Sequence, residues 1–489
     1  MKEIIYRKPK KIEKTSRAEK LRSELVSNVI ADYEERKLKR REFELQWRLN
    51  LDFYAGKQNS IITSFDTLVN VGKQFHWQRT DSFNHIAPIV ESRLSKITSH
   101  KVDIEPTPDT DEQHDMDGIP LCKKILESAF AKTDFDAMVE QATMWSEVTG
   151  SVFYKVYWDN NAGSVLGMIK QGDTENEIRD GDVCISICSP FEIFPDKICA
   201  SCMGEISSLI HAKYLSHQVI KESWGVDLSG YAEDNILVIE RYQVPTKAYP
   251  NGRFVIIAMD KLIYDGELPY INGEDGKRTI PFVRQVSEGM VGSFYGRSVI
   301  ERAIPVQRAY NAIKNRKVEF LNRLACGVLT VEEGSVDIES LENDGLAPGK
   351  VIVYRHGTTA PKFLNTGSLP AELEREEERL LKEFELVSGG GDIMRGLENG
   401  NVSGVALAIL TEENDRRMNR TIQAMVRAKM VIACHILRLY KQFVTSRRLE
   451  RIVGESGVEM FDFDQAAITC RNVIVRNAGM MKGEMNEGN

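Results

Sequence analysis

No apolar run in this 489-residue chain approaches the roughly 20 residues that a helix needs to cross a bilayer. The opening Met1-Lys2-Glu3 leads into no apolar core of the kind that a secretory signal carries, so a protein made and kept in the cytosol is expected. Catalytic signatures are also missing. There is no G-x-x-x-x-G-K-[ST]; the nearest fragment, Pro348-Gly349-Lys350-Val351, lacks the leading glycine spacing and the hydroxyl that would hold magnesium. Gly389-Gly390-Gly391 precedes no helix start with a basic partner, which argues against a phosphate cradle. Neither G-x-S-x-G nor H-E-x-x-H occurs. His211 and His217 stand six apart, too loose a spacing to nominate as metal ligands. Asp462 and Asp464 alternate on an expected strand, but a two-carboxylate metal site needs further partners. The expectation is a protein with no catalytic residue, cofactor or metal.

A basic excess is absent too. The net charge of -8 argues against a simple nucleic-acid coat, because such proteins exploit a net positive field. The charge is uneven, however. Lys8, Lys10, Lys11, Lys14, Arg17, Lys20 and Arg22, then Arg36, Lys37, Lys39, Arg40 and Arg41, crowd the first 41 residues, while Glu372 to Glu385 is strongly acidic. An acidic chain can still handle DNA if its basic groups are local, or if the duplex must slide past without sticking. The apolar share of 42% and charged share of 28% are those of a soluble globular protein, and the length exceeds what one core serves. Two to four structural regions are expected. The eight cysteines read mostly as reduced thiols. Cys184, Cys188, Cys199 and Cys202 have a loosely zinc-like spacing. Against a zinc knuckle, Cys184 and Cys188 fall on one face of a strand-like run with no tight turn, which favours free thiols.

Along the chain, residues 1–20 read as a mobile basic arm, followed by a helix from Lys20 to Tyr54 stopped at Gly56. A helix entered at Asn84-His85-Ile86-Ala87-Pro88 ends near His100, Val102 to Pro106 reads as a strand, and a helical block runs from about Ile119 to a stop at Gly150. The middle is β-rich: Val152–Trp158, Val183–Cys188, Ile236–Tyr242, Phe254–Met259 and Lys261–Tyr264, with a turn at Asn251-Gly252. Ser216 caps a short helix to Gly225. Ser298 to Leu324 is a long helical pattern that Pro305 should kink or restart. Residues 327–367 read as a small β region. Ala371–Val387 is an acidic helix, broken by Ser388-Gly389-Gly390-Gly391-Asp392, and a helix of about forty residues follows from Val405. At 100° per residue, Arg416, Arg420, Arg427, Arg438 and Lys441 form one stripe of that helix. Leu407, Met418, Met425, Ile432, Ile436, Leu439 and Phe443 form the opposite seam. The stripe is a solvated face, a contact with an acidic neighbouring subunit, or a contact with DNA phosphate.

Several stretches resemble the portal proteins of tailed bacteriophages. Glu44-Leu45-Gln46-Trp47-Arg48-Leu49-Asn50-Leu51-Asp52-Phe53-Tyr54-Ala55-Gly56-Lys57-Gln58 looks like that family's opening helix with a Y-x-G-x-Q stop. Asn84 to Glu91 resembles its N-x-I-x-P-x-V-E helix, and Gly150 to Asp159 its G-x-x-x-x-K-V-x-W-D strand. Ser189-Pro190-Phe191-Glu192-Ile193-Phe194-Pro195-Asp196 resembles its S-P-F-E-x-F-x-D segment. Tyr295-Gly296-Arg297-Ser298-Val299-Ile300-Glu301, with Pro305, Gln307 and Asn311, resembles the signature Y-G-x-S-x-x-E-x-x-x-P-x-Q-x-x-x-N of its channel-side stem helix. Each motif alone is weak; their shared order carries the resemblance.

The resemblance implies an α+β portal-like, ring-forming fold. It implies a basic N-terminal arm and helix start (1–41), a wing (42–297), stem helices (298–324 and 371–387) and a clip (325–370). A tunnel loop (388–403), a long wing helix (404–446) and a short C-terminal crown (447–489) complete it; the 40-odd residues after the long helix leave no room for a large crown. Ser298, Glu301, Gln307, Asn311, Glu374 and Glu378 would belong to the stem. Gly389, Gly390, Gly391, Asp392, Arg395 and Asn399 would belong to the loop that narrows the channel. The implied partners are further copies of the chain in a dodecamer, double-stranded DNA, the terminase large subunit, head-to-tail adaptors, and major capsid and scaffolding proteins, with no membrane. The implied location is the portal vertex of the virion, after assembly in the host cytoplasm. A minor capsid or head-completion protein is the competing reading. A nuclease subunit using Asp462 and Asp464 is a third.

Overall fold

The computed structural model describes residues 11–73, 75, 78–100, 102–108, 110–171, 174–228, 234–273, 276–326, 328–339, 351–364, 368–388, 404–444, 448–454, 457–463, 465–466 and 468–476. Helix α1 (Lys11–Tyr54) leads to the hairpin β1 (Ser60–Ile62) and β2 (Leu68–Asn70), then α2 (Ile86–Thr98), β3 (Asp103–Thr107), α3 (Gln113–Asp117), α4 (Ile119–Lys132) and α5 (Phe135–Thr149). A β-rich stretch follows: β4 (Ser151–Asp159), β5 (Val165–Gln171), β6 (Thr174–Arg179), β7 (Asp182–Cys188), β8 (Ile193–Pro195) and β9 (Ser208–Ser216). Helix α6 (His217–Trp224) precedes β10 (Asn235–Gln243), β11 (Arg253–Ala258), β12 (Lys261–Gly266) and β13 (Phe282–Val286). The chain continues with α7 (Val299–Cys326), β14 (Val328–Thr330), β15 (Lys362–Leu364), α8 (Ala371–Ser388) and α9 (Gly404–Phe443). It closes with β16 (Arg448–Gly454), β17 (Gly457–Phe463) and β18 (Asn472–Arg476). The fold is mixed α+β.

The chain divides into two compact units, one of residues 1–48, 90–299 and 405–489, the other of residues 49–89 and 300–404. In the first, an antiparallel sheet runs in the order β12-β11-β10-β9-β8, a second in the order β13-β4-β7, and β18 pairs with β3. The largest core joins α4, α5, β4 and α9 through Ile125, Val139, Val152, Met425, Ile432 and Ile436. The apolar seam of α9 is buried at Met418, Met425, Ile432, Ile436 and Leu439. The C-terminal strand returns to β3, because Val473 and the residues before it add to that same core. In the second unit, α7 and α8 lie with the hairpin β1–β2 and the antiparallel pair β14–β15.

Local signals explain most boundaries. Ser216 accepts a hydrogen bond from the Val219 amide, and Gly225 ends α6 at φ +68°. The helical block expected from 119 to 150 is two helices, split where Asp134 takes φ +46°. Helix α7 runs through Pro305 as one helix, without the restart that was one of the two expected outcomes there. A proline so near the start forfeits one helical hydrogen bond, and the buried Ala303, Ile304 and Val306 hold the surrounding turns.

Helix α1 starts nine residues before its expected position, at Lys11. Its Lys, Glu and Arg residues are good helix formers, pairs such as Lys39–Glu35 (2.5 Å) and Arg48–Glu44 (2.7 Å) support it, and Val26, Val29, Tyr33 and Trp47 are buried in the core. Two cations of the expected basic arm are not surface charges. Arg36 donates to the carbonyls of Phe194 and Ser208, both at 3.1 Å, and Arg40 to those of Pro190 (2.9 Å) and Ile193 (3.1 Å). The Arg40 guanidinium also lies 3.7 Å from the Phe194 ring centre. Helix α1 therefore clamps the S-P-F-E segment by its backbone, and Phe191 meets Trp47 edge-on at 5.3 Å.

Two other motifs meet backbone to backbone. Gly150, at φ +89°, ends α5, and a Cβ on it would strike the Gly296 carbonyl; a Cβ on Gly296 would strike the Gly150 carbonyl. The Gly296 amide donates to Ser151 Oγ (2.7 Å), Ser298 Oγ to the Glu147 carbonyl (2.6 Å), and the Ser287 amide to the Gly150 carbonyl (3.1 Å). Below them the buried Glu147 carboxylate accepts from Arg93 Nε (2.6 Å) and Ser287 Oγ (2.5 Å). Gly296→Ala is expected to cost about 1–3 kcal/mol or more, since the obstruction is backbone that cannot rotate away. Gly225→Ala, at φ +68° with open space around it, should cost only about 1 kcal/mol. Urea midpoints of the two variants check this; equal small losses would refute the close approach.

Candidate functional site

The expected stem helix carries its polar residues on one face at a four-residue period, and each finds a partner on an extended segment. Gln307 Oε1 accepts from the His85 amide (3.0 Å), Asn311 Oδ1 from the Phe83 amide (3.0 Å), Asn315 Oδ1 from the Asp81 amide (3.1 Å) and Glu319 from the Arg79 amide (2.8 Å). Gln307 and Asn315 also return donors to the carbonyls of Phe83 (2.8 Å) and Asp81 (2.9 Å). The spacing works because four helical residues rise about 6 Å and two extended residues rise about 6.6 Å. The two repeats stay in step for three periods.

Three of the motifs converge on this ladder. Gln58, from the Y-x-G-x-Q stop, accepts from Asn311 Nδ2 (2.6 Å) and donates to Asn84 Oδ1 (2.9 Å). Asn84, which opens N-x-I-x-P, accepts from the first amides of α2, those of Ile86 (3.0 Å) and Ala87 (3.2 Å), and donates to the Tyr54 carbonyl (3.0 Å). Gln307, Asn311 and Gln58 are buried, and these polar groups use their donors and acceptors on one another. The Arg308 guanidinium donates to the Ser60 carbonyl (2.9 Å) and lies over Phe53.

Helix α8 is zipped to α7 in the same unit. Glu377 takes Lys314 at 2.5 Å and Lys317 at 3.1 Å, and Lys317 reaches Glu374 at 3.6 Å. His85 packs edge-on to Tyr310 (4.6 Å) and near Phe384 (5.3 Å). Burial, with the Lys314 cation, pushes its imidazole below the usual range, so the ring is neutral at pH 7. Glu372, Glu374, Glu376 and Glu378 are exposed on α8, but so are Arg375, Arg379 and Lys382, so the outward face is mixed rather than purely acidic.

The sequence-expected residues are distributed as follows. Gln307 and Asn311 are buried in the ladder; Ser298 is buried with its hydroxyl on the Glu147 carbonyl; Glu301 is partly buried in the first turn of α7. The tunnel-loop residues Gly389, Gly390, Gly391, Asp392, Arg395 and Asn399 lie outside the described residues, as does the side chain of Arg416. Arg420 and Arg427 are exposed on α9. Arg438 is not part of an open basic stripe. It is buried, donating to the carbonyls of Asn272 and Arg471 and to Asn472 Oδ1 (2.7 Å), because the strand β18 and the loop near 272 cover that end of α9. Asn84, Gln58, Asn315 and Glu319 were missed as partners. The four-residue spacing of Gln307, Asn311, Asn315 and Glu319 was the available signal.

The four-cysteine cluster does not gather. Cys199 and Cys202 are exposed, and burial pushes the Cys184 thiol up to about 11. Among the described residues, the His, Cys, Asp or Glu atoms that converge in a group of three belong to Cys188, Glu192 and His211, all within 4.8 Å of one another. His211 stands between two carboxylates, with Nδ1 2.8 Å from Glu240 and Nε2 3.3 Å from Glu192. Burial alone would lower its pKa; the facing Cys188, Glu192 and Glu240 raise it to about 10. Glu240, fully buried, also takes Lys155 (2.6 Å) and the Tyr242 hydroxyl (3.0 Å). The lysine of the K-V-x-W-D strand thus neutralises a carboxylate inside the fold.

Among known proteins, residues 241–482 match a family model described as Phage P22-like portal protein. No curated protein matches the chain.

Asn311→Ala would leave the Phe83 amide and Gln58 Oε1 without their partner in a buried setting, costing about 1–3 kcal/mol. Hydrogen exchange is expected to show the Phe83 amide losing protection in this variant and the His85 amide in Gln307→Ala. Retained protection in both would show that the ladder does not hold the segment.

Proposed function

We propose that this chain, whose residues 241–482 match a phage portal protein family, forms a closed ring at one vertex of the capsid and serves as the channel for double-stranded DNA. The match carries the reading. It takes in the stem signature from Tyr295 to Asn311, the expected clip, the glycine-rich loop and the long helix. Portal families are structural, so the function of such a chain is the hole that it helps to enclose. Head-to-tail contacts that close on themselves generate the ring.

The side-chain chemistry supports this. Many strong phosphate contacts would make a brake, since each adds to affinity in steep, salt-dependent steps. The mixed charge of α8 and the net charge of -8 suit a wall past which a polyanion slides. The network of Gln58, Asn84, Gln307 and Asn311 makes the stem stiff by backbone hydrogen bonds rather than by surface charge. Residues 325–370 are the clip. Val351, Val353 and Phe363 there are largely exposed, which suits docking of a packaging motor and later of head-to-tail adaptors. Gly389, Gly390 and Gly391, with Gly396, Gly400 and Gly404, give the expected tunnel loop its backbone freedom.

Electron microscopy of the purified protein, with a native mass, is expected to show a ring of about a dozen copies around a hole that admits a duplex, the closed cyclic assembly of head-to-tail contacts. A chain that stays monomeric alone, and also when co-expressed with its capsid and scaffolding proteins, would overturn the reading. Replacing Gly389, Gly390 and Gly391 with Ala should leave ring assembly intact and impair DNA packaging or retention. Unchanged packaging would remove the tunnel-loop assignment while leaving the ring.

A further inference from the structure

We propose that Cys188, Glu192 and His211 form a binding site for a divalent transition cation of zinc's class, independent of the DNA channel. The three come from the end of β7, the S-P-F-E turn and β9, elements already held side by side by the β8–β9 pairing and the β7–β4 ladder. Their donor set is one thiolate sulfur, one carboxylate oxygen and one imidazole nitrogen, which suits a borderline-soft ion.

The two ring nitrogens of His211 have different geometry. Nδ1 meets Glu240 at 2.8 Å, the length of a charge-assisted hydrogen bond. Nε2 stands 3.3 Å from Glu192 Oε2, long for such a bond. A tetrahedral ion with bonds of about 2.0–2.2 Å to nitrogen and oxygen sets those two atoms roughly 3.3–3.6 Å apart. Glu240 then plays the carboxylate that fixes the tautomer of a ligating histidine, leaving Nε2 to face the ion. Lys155 and the Tyr242 hydroxyl hold Glu240, and Ser189 Oγ holds the other Glu192 oxygen at 2.8 Å. The outer partners of His211 and Glu192 are thus in place before any ion arrives.

Access exists on one side. Cys188 and His211 are buried, while Glu192 retains a third of its side-chain exposure. Glu192 forms part of the wall of an open groove with Thr133, Met138, Gln141, Trp145 and Ser189. An ion entering there would displace the protons of Nε2 and the thiol, and water from the groove would fill its fourth position. The bound ion would tie the S-P-F-E turn to β9.

The full-length protein, freed of metal by chelation and then equilibrated with Zn2+ or Co2+, is expected to retain one ion per chain by elemental analysis. The Co2+ form should show a thiolate-to-cobalt charge-transfer band. That band should vanish in Cys188→Ser and persist in a Cys199→Ser/Cys202→Ser variant. Glu192→Gln should weaken Zn2+ binding roughly tenfold or more, the loss typical even of outer-shell partners. Because Glu192 is part-exposed, this variant decides the matter should Cys188→Ser fail to fold. No retained ion and no cobalt band would overturn the proposal and leave His211 as a protonated clamp between carboxylates. Binding unchanged in Cys188→Ser and Glu192→Gln would overturn it equally.

Discussion

Two stretches of backbone touch where Gly150 and Gly296 face each other, and neither position has room for a β-carbon. The contact fixes where α5 ends, where β4 begins and how Tyr295-Gly296-Arg297-Ser298 passes beside them. Backbone in such proximity leaves amides and carbonyls far from water, and each must find a partner inside. Ser151, Ser287 and Ser298 supply those partners, and Glu147 collects Arg93 and Ser287 beneath. An ion pair this buried adds little to net stability compared with an apolar replacement, yet removing one member strands the other at a cost of about 3–5 kcal/mol. The site tolerates its full set of residues and little else.

The second unit solves the same problem with three side-chain amides and one carboxylate instead of serines. An extended segment running along a helix has no strand neighbour to take its hydrogen bonds. Gln307, Asn311, Asn315 and Glu319 take that role, because helix and extended chain share a repeat of about 6 Å at four and two residues. Gln58 and Asn84 tie in the end of one helix and the start of the next. For a protein proposed to line a channel, stiffness from such bonds has an advantage over exposed ion pairs. Salt and a passing polyanion screen surface charges, but they do not reach the buried side chains of Gln307 and Asn311.

Charge is used in the interior more than composition suggests. Asp182 accepts from Lys132 (2.9 Å), Arg448 (2.9 Å) and the Tyr440 hydroxyl (2.6 Å), joining α4, α9 and β16. Burial would push its carboxyl up, but Arg448, Lys132 and Tyr440 together hold it below the usual range. Lys155, Glu240, His211 and Glu192 form a second such chain, and Arg36, Arg40 and Arg438 spend their donors on backbone carbonyls. Net charge therefore describes the outer surface only in part.

The sequence by itself determined the order of the long helices and of β3, β4, β7, β10, β11 and β12, and the positions of most punctuation. Gly150, Ser216, Gly225 and the periodic apolar seam of α9 act through the few residues beside them, so they are readable one at a time. It also yielded the motifs, of which the stem signature from Tyr295 to Asn311 lies inside the match to a portal family over residues 241–482. What those motifs do was hidden. Q-x-x-x-N reads as a helix face, and nothing local says that its partners stand more than 220 residues earlier. Arg36, Arg40 and Arg438 read as a basic arm and a basic stripe, because burial is a property of what packs over a side chain. His211 and Cys188 have no spacing that marks them, since β9 and β7 bring them together through two different ladders. Only the tertiary structure decided these contacts, because hydrogen bonds and desolvation act over a few ångströms in space and take no account of separation along the chain.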